Sequence, residues 1–259
     1  MKAKLKRKDA IVLGIINHKG GVGKTATASG LAGALKKKGY KVLAIDADSQ
    51  ANLTDSFGFP MDQDETLYEA LKNECELPIC NHPDGIDIVP SCLGLSTIEA
   101  ELSDEPGREL LLASLLKPIK KDYDFIIIDC PPSLSLLTIN AMTAANGIII
   151  PVQVEYLAMR GMARLLTVID KVQQRLNSKL EIEGILLTMY DSRKNLHQIT
   201  VDTIQTKFPD QTFNTIIRTN VAIAEATSYK RDVVHYAPRS SGATDYMSLA
   251  DEIISNHNH

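Results

Sequence analysis

Residues 18–25, HKGGVGKT, stand between an apolar run, IVLGIIN, and a segment of helical character, TATASGLAGALKKKG. No other stretch narrows the possible folds so far. A strand that passes through a glycine turn straight into a helix points successive backbone N–H groups and a helix N-terminus at one place, which suits phosphate oxygens. Lys24 is placed to reach the β- and γ-phosphates of a nucleotide, and the Thr25 hydroxyl to hold Mg²⁺. The usual spacing is G-x-x-x-x-G-K-[ST]. Here Asn17, His18 and Lys19 occupy the region of the first glycine, so lysines flank Gly20, Gly21, Val22 and Gly23 on both sides.

The rest of the chain repeats the strand–helix alternation. Strand candidates are IVLGIIN, KVLAIDAD, IDIVPS, FIIIDCPP, GIIIPVQV, GILLTMYD and FNTIIR. Several are apolar on both faces, as strands inside a parallel sheet are. Helical patterns lie between them: SGLAGALKKKG, TLYEALKN, STIEAEL, ELLLASLLKPIKK, SLLTINAMTAAN, ARLLTVIDKVQQRL, HQITVDTIQTKF and, last, DYMSLADEIIS. Such alternation implies right-handed βαβ units and an α/β fold: a single-domain, doubly wound, mostly parallel sheet with helices on both faces. The 259 residues suffice for one such domain, and no Pro/Gly/Ser-rich linker divides them. We expect a basic tail over 1–9, the domain over 10–254 and a polar tail over 255–259.

Composition excludes several classes. The net charge of -4 argues against a globally basic nucleic-acid binder, though not against a local basic patch. The four cysteines, Cys75, Cys80, Cys92 and Cys130, include no C-x-x-C pair. A reduced, cytoplasmic protein is expected. No apolar run reaches the roughly 20 residues that cross a bilayer.

Two acidic stretches add chemistry. KVLAIDADSQ places Asp46 and Asp48 at the C-terminal end of a strand, where ligand sites of open parallel sheets gather. FIIIDCPPS ends an apolar strand in Asp129, a Walker B arrangement that sets a carboxylate near Mg²⁺. Pro131 and Pro132 stiffen the turn that follows. Cys130 reads as a small buried side chain rather than a nucleophile.

K-G-G-x-G-K-T is the deviant Walker A motif, and with D-x-D-x-Q and D-x-P-P the chain resembles the ParA/Soj/MinD family of dimerising ATPases. GILLTMYDSRKNL (184–196), residues 215–238 and SGATDYMSLADEI resemble its chromosome and plasmid partition branch, so the match runs from about residue 10 to about residue 254. The resemblance implies that Lys24 and the loop through Ala26 serve the subunit's own ATP, while Lys19 reaches the partner's nucleotide in an ATP-dependent homodimer. It implies that Asp48 orients the attacking water, that Asp46 supports the magnesium shell with Thr25 and Asp129, and that Asn220 contacts the base. It further implies non-specific DNA binding in the ATP state with nucleoid association, slow intrinsic hydrolysis, and stimulation by a ParB-like activator.

The chain departs from the branch at several positions, among them residues 218–222, which read Arg218, Thr219, Asn220, Val221, Ala222 where Pro-Arg-Asn-Val-Arg is common. Ala26 stands where a second threonine is common, and Ala222 where an arginine associated with DNA binding is common. Arg193, Lys194, Arg218, Lys230, Arg231 and Arg239 remain for a basic patch, with Lys2, Lys4, Lys6, Arg7 and Lys8 as a further basic run. The cysteine spacings do not suit the iron–sulfur members, one phosphate loop does not suit the arsenite pump, and the acidic-then-polar end DEIISNHNH does not suit stable membrane anchoring. Two other readings stay open: a cargo- or pole-positioning ATPase whose tether need not be DNA, and an ATP-regulated interaction module.

Overall fold

Three five-residue runs, β1 (Ile11–Ile15), β2 (Val42–Asp46) and β5 (Phe125–Asp129), are buried at every position. A strand covered on both faces has no polar side to display, and their unbroken apolar sequence follows. They lie in an eight-stranded sheet with β3 (Cys80–Asn81), β4 (Asp87–Val89), β6 (Gly147–Gln153), β7 (Glu181–Tyr190) and β8 (Thr212–Arg218). The order is β3-β4-β2-β5-β1-β6-β7-β8. Only the β3–β4 pair is antiparallel. The computed structural model describes residues 9–73, 75–155 and 161–258. The basic run at residues 2–8 lies outside the described residues.

Alternation along the central strands sends side chains into two layers. Ile11, Leu13, Ile15, Val42, Ala44 and Ile127 pack with α1 (Lys24–Lys37), α10 (Val233–Tyr236) and α11 (Ser241–His257). Val12, Leu43, Ile45, Ile126, Ile128 and Ile148 pack on the other face with α5 (Leu111–Leu116), α6 (Leu136–Ala144) and α7 (Met162–Arg175). The helix after β1 and the helix after β5 therefore leave on opposite faces. The gap between them, at the C-terminal ends of adjacent strands, is where a doubly wound sheet forms its crevice.

All seven anticipated strands are present, and the doubly wound architecture holds. The short elements were not anticipated: β3, α2 (Asn52–Ser56), α9 (Val221–Ser228) and α10. Five residues carry too little periodicity to read, and α2 starts from Ala51 in the left-handed region at φ 51, which no turn residue announces. α9 has an Asn220 cap at its start. The last helix also runs to His257, so 255–257 are its final turn rather than a polar tail. His257 Nε2 lies 2.9 Å from Glu183 Oε2, which ties that turn to β7. No helix among the described residues is long and apolar enough to cross a membrane.

Candidate nucleotide site

The phosphate loop takes its shape from two glycines. Gly21 (φ 73) and Gly23 (φ 87) both occupy the left-handed region, where a Cβ is strained, and Gly23 delivers the chain into α1. Lys24 follows as the first helical residue. Its side chain is buried and its Nζ donates to the Lys19 carbonyl at 3.1 Å, so the ammonium folds back over the loop. Burial holds its pKa below the usual lysine range, while the charges of Asp129 and Asp48 work the other way. The loop is clamped from behind: Thr188, on β7, donates its hydroxyl to the Val22 carbonyl at 2.9 Å.

A cavity of about 660 Å³ opens in front of the loop. Gly20, Gly21, Gly23, Lys24, Thr25 and Ala26 form its floor, with Asp48, Gln50 and Pro132 at one side. Met189, Ile217, Asn220, Ile223 and Tyr246 build a mostly apolar wall at the other. A phosphate-binding floor beside an apolar slot matches the two chemistries of a nucleotide. Val22 is buried beneath the loop and does not line the cavity.

Asp129 ends β5 next to Asp46 at the end of β2, paired in register. Their surroundings differ. Among the described residues, neither Asp129 carboxylate oxygen has a hydrogen-bond partner, and both are buried. Burial, and then the charge of Asp46, push its pKa well above the carboxylate range; Thr25 and Lys24 oppose that shift. Two orphaned carboxylate oxygens beside a threonine hydroxyl are the hard donors that Mg²⁺ takes, and the site fits that ion. Asp46 is spent within the protein. Its Oδ2 accepts from Thr54 N at 2.8 Å and Thr54 Oγ1 at 2.7 Å, and its Oδ1 from Asp48 N at 3.1 Å. These bonds brace the loop that carries Asp48. Burial pushes Asp46 up to about 6, against those hydrogen bonds. Asp48 lies on the cavity wall, with Gln50 N donating to its Oδ1 at 3.0 Å. Cys130 is buried, and burial pushes its thiol well above the usual range.

The remaining expected site residues take different places. Lys19 does not line the cavity; its Nζ lies 3.0 Å from Glu155 Oε2. Asn220 lines the cavity, but its amide is occupied: Oδ1 accepts from Ala222 N at 2.9 Å and Nδ2 donates to Ser241 Oγ. The same side chain caps α9. The four candidate DNA contacts are each ion-paired within the chain. Arg218 and Arg231 line the nucleotide cavity. Arg218 pairs with Asp245 at 2.6 Å, Arg231 with Asp84 at 2.6 Å, Lys230 with Asp55 at 2.7 Å and Arg193 with Asp191 at 2.8 Å. Thr188, Met189 and the last helix's Asp245 and Tyr246 went unremarked in the sequence. Their type and spacing carry no signal, because long-range packing alone brings them to the loop.

A family model described as an AAA domain matches residues 10–182. The sporulation initiation inhibitor protein Soj of Bacillus subtilis is 40% identical over 95% of this chain and 98% of its own length. The chromosome partitioning protein ParA of Myxococcus xanthus is 40% identical over 94% and 87%. The chain belongs to the Soj/ParA family. A solved structure from Mycobacterium smegmatis, described as cobyrinic acid a,c-diamide synthase with bound ATP analog and magnesium, superposes with a TM-score of 0.86 at 33% identity, covering 95% of both chains. Membership in the Soj/ParA family accords with the doubly wound sheet and with the deviant loop as the structure places it.

Proposed function

We propose that this chain is a Mg²⁺-dependent ATPase that dimerises on ATP and serves DNA partition. The observation that carries the proposal is the separation of the loop's two lysines. Lys24 is buried over the cavity floor, whereas Lys19, 40% exposed, stands outside that cavity. A cation held outside its own site is available to the phosphates of a second copy, where it stabilises developing charge as an arginine finger does.

In this reading the loop amides and Lys24 bind and orient the β- and γ-phosphates. Asp129 and Thr25 hold Mg²⁺, which neutralises phosphate charge when bound. Asp48, on the cavity wall, orients the attacking water. Turnover is slow in the single subunit because Lys19 is absent from the site, and it rises with dimerisation and with a ParB-like partner. Whole-length similarity to Soj and ParA supports non-specific DNA as the tether of the ATP state.

The ion-paired state of Arg193, Arg218, Lys230 and Arg231 favours one alternative, a positioning ATPase whose tether is not DNA. Retention on random-sequence DNA with ATP, ADP or no nucleotide, at several salt concentrations, decides between them. Partition predicts ATP-dependent retention whose log–log salt slope steepens by roughly 0.9 per phosphate contact. Equal weak retention in all three states supports the alternative.

A further inference from the structure

Four hydrogen bonds close a ring under the cavity. Asp48 N donates to Asp46 Oδ1 at 3.1 Å. Thr54 Oγ1 donates to Asp46 Oδ2 at 2.7 Å and accepts from Ser91 N at 2.9 Å. Ser91 Oγ then donates to the Asp48 carbonyl at 2.6 Å. Asp46, Thr54 and Ser91 are fully buried. The ring joins the end of β2, the helix α2 and the segment that follows β4.

We propose that Ser91 is a positioning residue for Asp48; this rests on the reading of Asp48 as the group that orients water. Asp48 takes its other hydrogen bonds from within its own loop: Gln50 N to Oδ1 and Ala51 N to its carbonyl at 2.9 Å. The Ser91 hydroxyl makes the one hydrogen bond among the described residues that reaches Asp48 from beyond residues 46–54. It fixes the loop against β4, and with it the direction in which the carboxylate enters the cavity. The segment holding Ser91 is itself anchored, because Leu67 N donates to the Pro90 carbonyl at 2.9 Å. Removing the hydroxyl leaves the rest of the ring standing: Ser91 N still donates to Thr54, and Ala51 N still donates to the Asp48 carbonyl. The substitution Ser91→Ala therefore tests aim rather than folding.

The experiment is steady-state Mg·ATP hydrolysis and calorimetric ADP binding on the full chain, for wild type, Ser91→Ala and Asp48→Ala. Ser91→Ala loses on the order of tenfold in kcat, while KM and ADP affinity stay within about twofold. Wild-type kcat in Ser91→Ala with Asp48→Ala inactive overturns the proposal and leaves the role of Asp48 intact. Wild-type kcat in Asp48→Ala, or no hydrolysis by wild type, removes both. A parallel fall in kcat and ADP affinity marks general loss of structure and also overturns it. Should Ser91→Ala not fold, Thr54→Val cuts the same ring at another member; the same split is expected, and unchanged kcat counts against the proposal.

Discussion

Lys19 Nζ stands 3.0 Å from Glu155 Oε2, outside the cavity lined by the rest of its loop. The two side chains are 40% and 48% exposed, so their pairing contributes little to fold stability, about 0–1 kcal/mol. Its weight lies in what it occupies. The pair has to open before Lys19 meets another subunit's phosphates, at the small cost of an exposed ion pair. Glu155→Gln is expected to leave thermal stability near wild type and to lower the protein concentration at which ATP induces dimers. Sedimentation with ATP checks this, and an unchanged or higher midpoint contradicts it.

Lys24→Ala removes the charge at the cavity floor. No other described lysine lines that cavity. Mg·ATP affinity is expected to fall on the order of 100-fold, equivalent to roughly 2.7 kcal/mol, with the fold retained. Calorimetry that returns wild-type affinity refutes the assignment of the loop.

Asp129→Asn exchanges stability against function. A carboxyl whose folded pKa is raised holds a proton that the unfolded chain has already released above about pH 4. Folded-state stability is then lost as pH rises from there through the folded pKa. The asparagine carries no such charge, so the metal-free variant is expected to be more stable than wild type at pH 8 and to converge with it toward pH 4. Its Mg²⁺-dependent hydrolysis is expected to vanish. A variant less stable than wild type at pH 8, measured by calorimetry without Mg²⁺, contradicts the prediction.

Arg218 and Arg231 face the nucleotide cavity, whereas the Arg193 side chain is 87% exposed. Arg218→Ala and Arg231→Ala are therefore expected to weaken ATP binding by roughly 3- to 10-fold, about 1 kcal/mol each. Arg193→Glu is expected to spare ATP binding and to reduce retention on DNA if that surface meets phosphates. Titrations with ATP and with DNA on the three variants separate these effects.

Much of this molecule was legible because its signals are local. A both-face-buried strand writes its own apolar run, as Phe125–Asp129 does, and the glycines at 20, 21 and 23 announce a backbone that must approach a ligand. What sequence could not show are partnerships set by the third dimension. Asp46 and Asp129 look equivalent in sequence, each a carboxylate at a strand end. Thr54 reaches the first from eight residues away, while the oxygens of the second lie buried beside Thr25, so the first braces a loop and the second is a candidate metal ligand. The arginines' partners are hidden for the same reason: a charge in a sequence does not reveal the carboxylate that pairs with it.

The final helix, α11, packs across α1, the helix that starts at the phosphate loop. Tyr246 fills the space that a side chain at Gly30 would need, and Asp245 holds Arg218 in the cavity wall. A chain emerging from the ribosome makes the phosphate loop more than 200 residues before the wall that completes the cavity. The assembled cavity therefore forms only after residues 241–257 have cleared the exit tunnel, and a nascent chain stalled before that point carries the loop without the enclosure around it.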